Sequence, residues 1–172
     1  VTKISSISFI GDKKIRDNRL RNIVASERDR FWKIISRNTK FSQNLINLDI
    51  RLLKNYYKSL GFYDVEVTSN PAEINKNQNI DLIYSINAGK RYRINKIVTN
   101  VDPTFDKELF LSLNNNYKII IGEYYSPFKV KDLLEEIDEI IEKNNLQFVE
   151  HNVEETIVND SISIKFNIFE GE

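Results

Sequence analysis

Cysteine is absent from the chain. That excludes disulfides and thiolate metal sites, and it suits a reducing cytosol as well as an oxidising periplasm. Nowhere do 18 apolar residues run consecutively, so no segment reads as a membrane-spanning helix. No basic start followed by an apolar run marks a signal peptide, and the strand-like Val1 reads as the start of an excised fragment. Histidine occurs once, at His151, in a stretch that reads as a strand. It reads as a surface or edge residue in preference to a base or pH switch. With no histidine cluster, glycine-rich phosphate loop or nucleophile motif, no catalytic, metal-binding or cofactor-binding residues are assigned, and neither enzyme activity nor a cofactor is expected.

What is present is enough for a core. A hydrophobic fraction of 41% and a charged fraction of 29% over 172 residues suit one ordinary domain or two small ones. The net charge is zero, but unevenly placed. Residues 1–90 hold 16 Lys/Arg against 9 Asp/Glu, and residues 91–172 hold 9 against 16. A split of +7 and −7 suggests two modules with different surfaces, 1–90 and 91–172.

The most informative stretch is Ser42 to Thr68. Leu45, Leu48, Asp49, Leu52, Leu53, Tyr56, Tyr57 and Leu60 recur at three- and four-residue steps, which predicts an amphipathic helix with Ser42 as its N-cap. Gly61 supplies the left-handed conformation that ends a helix. Beyond it the period becomes two, with Val65 and Val67 on one side and Asp64, Glu66 and Thr68 on the other.

Before that stretch, Lys3 to Ile10 reads as a strand, Gly11-Asp12 as a turn, and Ile15 or Asp17 to about Ser26 as a short helix. The segment RDRFWKIISRNTKF reads as a loop. After it, Asn70-Pro71 breaks the strand, and Ile80, Leu82, Tyr84 and Ile86 alternate up to Gly89. The second half repeats the order. A strand holds Ile94, Ile97, Val98 and Val101, and Asp106 caps a short helix to about Leu113. Tyr117 to Tyr125 reads as a loop, and a long helix runs from about Ser126 to Lys143 with Pro127 in its first turn. Phe148, Val149 and Val153 make a strand, and Ile162, Ile164, Phe166 and Ile168 alternate up to Gly171. Leu53, Tyr56, Tyr57, Gly61, Phe62 and Val65 answer to Ile137, Ile140, Ile141, Asn145, Leu146 and Val149. The fold class is therefore α+β, as two tandem β-α-α-β-β modules. Each is a three-stranded mixed sheet with two helices on one face.

The phrases ISFIGDKKIRDNRL, LDIRLLKNYYKSLGFYDVEV and INAGKRYRINKI, then GEYYSPFKVKDLLEEIDEI and FNIFEGE, resemble in order two POTRA (polypeptide transport-associated) modules over essentially the whole chain. Asn145-Leu146 departs from the family's usual Gly-Tyr, and asparagine tolerates the left-handed conformation. The insertion FWKIISRNTKF most resembles the third module of the branch that assembles outer-membrane β-barrels, which makes these modules three and four.

The resemblance implies the periplasmic region of an outer-membrane protein whose own C-terminal membrane barrel lies outside this sequence. Unfolded outer-membrane β-barrel precursors and accessory lipoproteins of the assembly complex are the implied partners. It also implies a strand order with the second strand outside, which makes Tyr63, Asp64, Val65, Glu66, Val67 and Thr68 the candidate peptide-binding edge. The equivalent strand of the second unit, Phe148 to Val153, is the lesser candidate.

Phe31 and Trp32 are candidate interface anchors or a loop cluster tucked over the helices. Gly89, Lys90, Arg91 and Tyr92 are the candidate inter-module hinge. The basic set Lys13, Lys14, Arg16, Arg19, Arg21, Arg28, Arg30, Lys33 and Arg37 reads as a solvated face before it reads as a phosphate site, and no nucleic-acid partner is expected. The carboxylates Glu135, Glu136, Asp138, Glu139 and Glu142 read as the solvated face of the long helix. Two alternatives stand beside this reading: the POTRA region of a secretion or translocation pore, and a basic α+β nucleic-acid-binding module, which the acidic second half opposes.

Overall fold

The computed structural model describes residues 4–24, 39–70, 73–74 and 80–172. The chain separates into two compact units, Val1–Lys58 with Phe62–Lys90, and Ser59–Gly61 with Arg91–Glu172.

In the first unit β1 (Ile4–Asp12) and α1 (Asp17–Ile23) are followed by α2 (Thr39–Ser59), β2 (Glu66–Ser69), β3 (Glu73–Ile74) and β4 (Ile80–Asn87). The sheet order is β1-β4-β2. β1 runs parallel to β4, while β2 and β3 both pair antiparallel with it. β2 and β3 lie along the same side of β4, Glu66–Ser69 opposite Tyr84–Asn87 and Glu73–Ile74 opposite Ile80–Asp81. The third row of the sheet is therefore one outer strand in two pieces, divided near the Asn70-Pro71 step that the sequence marks as a break.

One row of this sheet is covered and the other is not. Ile7, Phe9, Val67, Leu82, Tyr84 and Ile86 are buried, and Ile10, Glu66 and Thr68 on the opposite row are exposed. Leu20 and Val24, and Ile46, Leu53 and Tyr57 of α2, complete the core. The buried line of α2 is Ile46, Asp49, Leu53 and Tyr57, spaced three, four and four, while Leu45, Leu48, Leu52 and Tyr56 flank it half-buried. The stripe read from sequence thus had its centre one position off, because it left out Ile46.

Both helix boundaries in this unit differ from expectation. α2 begins at Thr39, so Ser42 lies inside it and is not its N-cap. α1 ends at Ile23 instead of near Ser26, because Val24 turns extended (φ −74, ψ 139) to reach the core. α2 is closed by a hydrogen bond from Phe62 N to Tyr57 O at 3.1 Å, with Gly61 at φ 99. That six-to-one closure around a left-handed residue is the Schellman arrangement.

The second unit holds β5 (Arg93–Val101), a 3-10 turn (Lys107–Phe110), α3 (Leu113–Ile120), α4 (Pro127–Lys143), β6 (Val149–Val158) and β7 (Ser161–Glu170). Its sheet order is β5-β7-β6, parallel then antiparallel, the same as in the first unit. The register repeats in detail. Ile4 and Ile7 pair with Ile80 and Leu82, and Ile94 and Ile97 pair with Ile162 and Ile164. Each first strand carries an irregularity at the same place, between Ile4 and Ser6 and between Ile94 and Lys96. α4 closes with Leu146 N on Ile141 O at 3.1 Å and Asn145 at φ 51, so asparagine takes the place of glycine.

Here too the sequence misplaced elements. Asp106 does cap a short helical turn, its carboxylate accepting from Glu108 N at 3.0 Å. The segment read as a loop from Tyr117, however, is helical to Ile120. The run Ile119-Ile120-Ile121 is β-branched and disfavours helix, but Phe110, Leu113 and Tyr117, at helical spacing, are buried, and Tyr117 stacks on Phe166 at 6.0 Å. Packing overrides propensity. Phe148 is not in a strand: it sits at φ 56, 71% exposed, just ahead of β6. α4 matches expectation, with Ser126 Oγ accepting from Phe128 N at 3.2 Å and Pro127 in the first turn.

Candidate peptide-binding edges

An edge strand has one side committed to its sheet and one side free, and alternation decides which residues offer the free groups. In the first unit Asn70 N donates to Ile83 O at 2.9 Å, one step beyond the Ser69–Tyr84 pair. Bonded pairs recur every second residue, so Glu66 and Thr68 direct their amides and carbonyls into β4. Val67 and Ser69 turn theirs outward. Val65 precedes the strand, and its amide is already engaged with Phe62 O at 3.3 Å. Tyr63 and Asp64 lie in that turn.

The candidate edge of Tyr63 to Thr68 therefore divides. Tyr63, Asp64 and Val65 shape the approach, and Glu66, Val67 and Thr68 are in the strand, which extends to Ser69. Tyr63 lies under the Lys58 ammonium, 5.8 Å from its ring centroid. Val65 and Val67 are buried, while Asp64, Glu66 and Thr68 are exposed, as the alternation requires. Ser85 Oγ donates to Asn70 Oδ1 at 3.0 Å and pins the end of the strand.

The second-unit edge is longer, contrary to the sequence reading that gave the first unit the more regular strand. β6 pairs with β7 over ten residues, against four in β2. The period-two signal was present in Val149, Val153 and Ile157, but the polar His151 and Glu155 in the same row concealed it.

The other candidates fall as follows. Gly89 takes φ 73, and its carbonyl accepts from Lys14 Nζ at 2.8 Å. Lys90 ends the first unit and Arg91 begins the second stretch of the other. Arg91 and Arg93 lie on the Tyr124 ring, 3.5 and 4.0 Å from its centroid, and Tyr92 is buried with its carbonyl accepting from Tyr125 N at 2.9 Å. Phe31, Trp32, Arg28, Arg30, Lys33 and Arg37 lie outside the described residues.

Of the remaining basic set, Lys13 bonds Asp17 at 2.5 Å and Phe9 O at 2.9 Å, Arg19 bonds Tyr56 Oη at 3.0 Å, and Arg21 bonds Asn18 at 3.3 Å. These three side chains are held by neighbours within the first unit. On α4, Glu136 accepts from Asn116 at 2.6 Å and Asp138 meets His151 Nε2 at 2.6 Å. Among the described residues no group of three or more His, Cys, Asp or Glu is arranged to hold a metal ion, and no helix is long and apolar enough to cross a membrane.

The POTRA family model, described as a surface antigen variable number repeat, matches residues 2–89. The chain belongs to the POTRA family. It is 23% identical over 172 residues to the outer membrane protein assembly factor BamA of Buchnera aphidicola, covering 96% of this chain and 27% of that relative. The chain thus spans about a quarter of the length of that protein. Its fold is similar to the crystal structure of POTRA modules 3–5 of Haemophilus influenzae BamA, with a TM-score of 0.68 and 14% identity, over 99% of this chain and 67% of that one. It is also similar to BamA from Haemophilus ducreyi lacking POTRA domains 1–3, with a TM-score of 0.59 and 17% identity, over 99% and 29% of the two chains. The β-α-α-β-β order and the position of the second strand at the edge are thereby features of a POTRA fold.

Proposed function

We propose that this chain is the periplasmic region of a BamA-like outer-membrane assembly protein, comprising its third and fourth POTRA modules, and that it binds and guides unfolded outer-membrane β-barrel precursors by strand addition. The observation that carries this reading is the edge formed by β2, where Val67 and Ser69 turn their backbone groups away from the sheet. Main-chain hydrogen bonds give affinity for an extended chain without demanding its sequence, which suits a handler of many clients. No bond is made or broken in this function, and no cofactor takes part.

Placement as modules three and four rests on the sequence of residues 31–41. Docking of accessory lipoproteins comes from the likeness to an assembly factor. Gly89 to Tyr92 is the proposed hinge between modules that divide at Lys90 and Arg91, supported by the compact unit on either side.

The test is a titration of the full chain with extended peptides from barrel strands, followed by backbone amide shifts. The reading requires the largest shifts at Val67 and Ser69, with Glu66 and Thr68 following less. Shifts confined to the helices, or absent from β2, contradict it.

A further inference from the structure

The longer edge, β6, has features that β2 lacks. Gly171 N donates to Phe148 O at 2.7 Å, on the register that pairs Val149 with Glu170. Bonded pairs therefore fall on the even-numbered residues of β6, and Val149, His151, Val153, Glu155 and Ile157 turn their amides and carbonyls outward. β6 pairs with β7 alone among the described strands. The side chains of these same odd residues lie in the row paired with Ile162, Ile164, Phe166 and Ile168, the buried face of the sheet.

Glu155 stands out in that row. Its Oε2 is buried and accepts no hydrogen bond, the one such side-chain atom among the described residues. A buried carboxylate oxygen without a donor is unfavourable. The rest of the strand is also one-signed: Glu150, Glu154 and Glu155 are its charged residues, with no lysine or arginine. Lys165 reaches Glu154 at 3.7 Å from β7 and Asp138 holds His151, but neither serves Glu155.

We propose that the β6 edge accepts an extended strand of a separate polypeptide that presents a lysine or arginine beside Glu155. The aliphatic stem of such a residue lies along the Val153 and Ile157 row, and its charged head supplies the donor that Oε2 lacks. An all-apolar strand leaves Oε2 enclosed and without a donor, so Glu155 selects among strands. A second copy of β6 is a poor occupant, because it brings carboxylate to carboxylate. The inference rests on the strand-addition chemistry proposed above, but it assigns a second site, in the other unit, with a stated client preference.

The experiment titrates the isotope-labelled full chain with two peptides of alternating threonine and valine, one with a central lysine and one with norleucine in its place. The lysine peptide is expected to move the amides of the odd β6 residues and to bind about tenfold more tightly than the norleucine peptide. Glu155→Gln is expected to bring that ratio close to one while the fold is retained. Val153→Pro, which removes an outward amide and leaves the β7 ladder intact, is expected to weaken both peptides.

A ratio unchanged in Glu155→Gln overturns the proposal. So does a Glu155→Gln chain that self-associates while neither peptide moves β6, since the carboxylate then only guards the edge. The same spectra report β2 separately. Shifts at β6 with none at Val67 and Ser69 leave this site standing and sink the first-unit reading, and the reverse pattern does the opposite.

Discussion

Tyr84 donates its hydroxyl to the carboxylate of Asp49, and neither residue is accessible to solvent. The repeat supplies a natural comparison. Asp49 answers to Leu133 and Tyr84 to Phe166, so the second unit fills the same two core positions with an apolar pair, also buried. The polar link is thus an option within this fold and not a requirement of it.

Removing one partner of a buried pair costs more than replacing both. Tyr84→Phe is expected to destabilise the first unit by about 1–3 kcal/mol. Asp49→Leu combined with Tyr84→Phe, which copies the second unit, is expected to lose less than the two single changes summed. Urea unfolding of the two single variants and the double variant measures this. Additive losses contradict the coupling.

Gly11 is the position where the sheet tolerates no side chain. It holds φ 102, and an added Cβ falls 2.3 Å from Ile86 O, a backbone atom of the neighbouring strand. Gly11→Ala therefore combines left-handed strain with a contact that only a shift of β4 relieves. A loss of about 2 kcal/mol or more is expected, read as a lowered thermal midpoint. An unchanged midpoint contradicts the geometry.

Two tyrosines set an alkaline limit. Burial pushes the Tyr57 hydroxyl above its ordinary value, with Tyr56, Asp17 and Asp12 adding to the effect. Burial does the same to Tyr117, where Glu136 adds and the hydrogen bond with Thr99 opposes. In the unfolded chain tyrosine ionises near pH 10, while the folded chain keeps these protons to higher pH. The contribution is complete below about pH 10 and is lost as pH rises beyond it. Tyrosinate absorbance with pH is expected to show ordinary groups titrating first and a late step accompanying unfolding. Substituting Tyr57 or Tyr117 by phenylalanine is expected to reduce that late step.

These sites also show what the sequence made legible. The order of elements, the glycine stop and the alternating central strands were readable because each depends on local chemistry: a period, a cap, a left-handed residue. Asp49 was visible as the polar member of an apolar stripe, but its partner lies 35 positions away and is fixed only by the sheet. α3 was misread because its β-branched residues argue against helix, and the contact that decides it, Tyr117 on Phe166, spans two elements. The outer strand of the first unit was legible in outline. Which of its residues face outward depends on pairing register, set by contacts such as Asn70 with Ile83, and no period in the chain encodes that.

The most direct test of the central claim follows from that register. Val67 N–H faces away from β4 and Thr68 N–H faces into it, so proline at the two positions has different consequences. Thr68→Pro is expected to disturb the sheet itself. Val67→Pro is expected to leave the first unit folded, with the dispersed amide spectrum of the wild type, while removing an outward donor. Titrated with a barrel-strand peptide, the folded Val67→Pro chain should lose the shifts at Ser69 and its neighbours and bind at least about fivefold more weakly, as expected for losing about one net hydrogen bond. A folded Val67→Pro chain that binds the peptide with unchanged shifts and affinity contradicts strand addition at this edge.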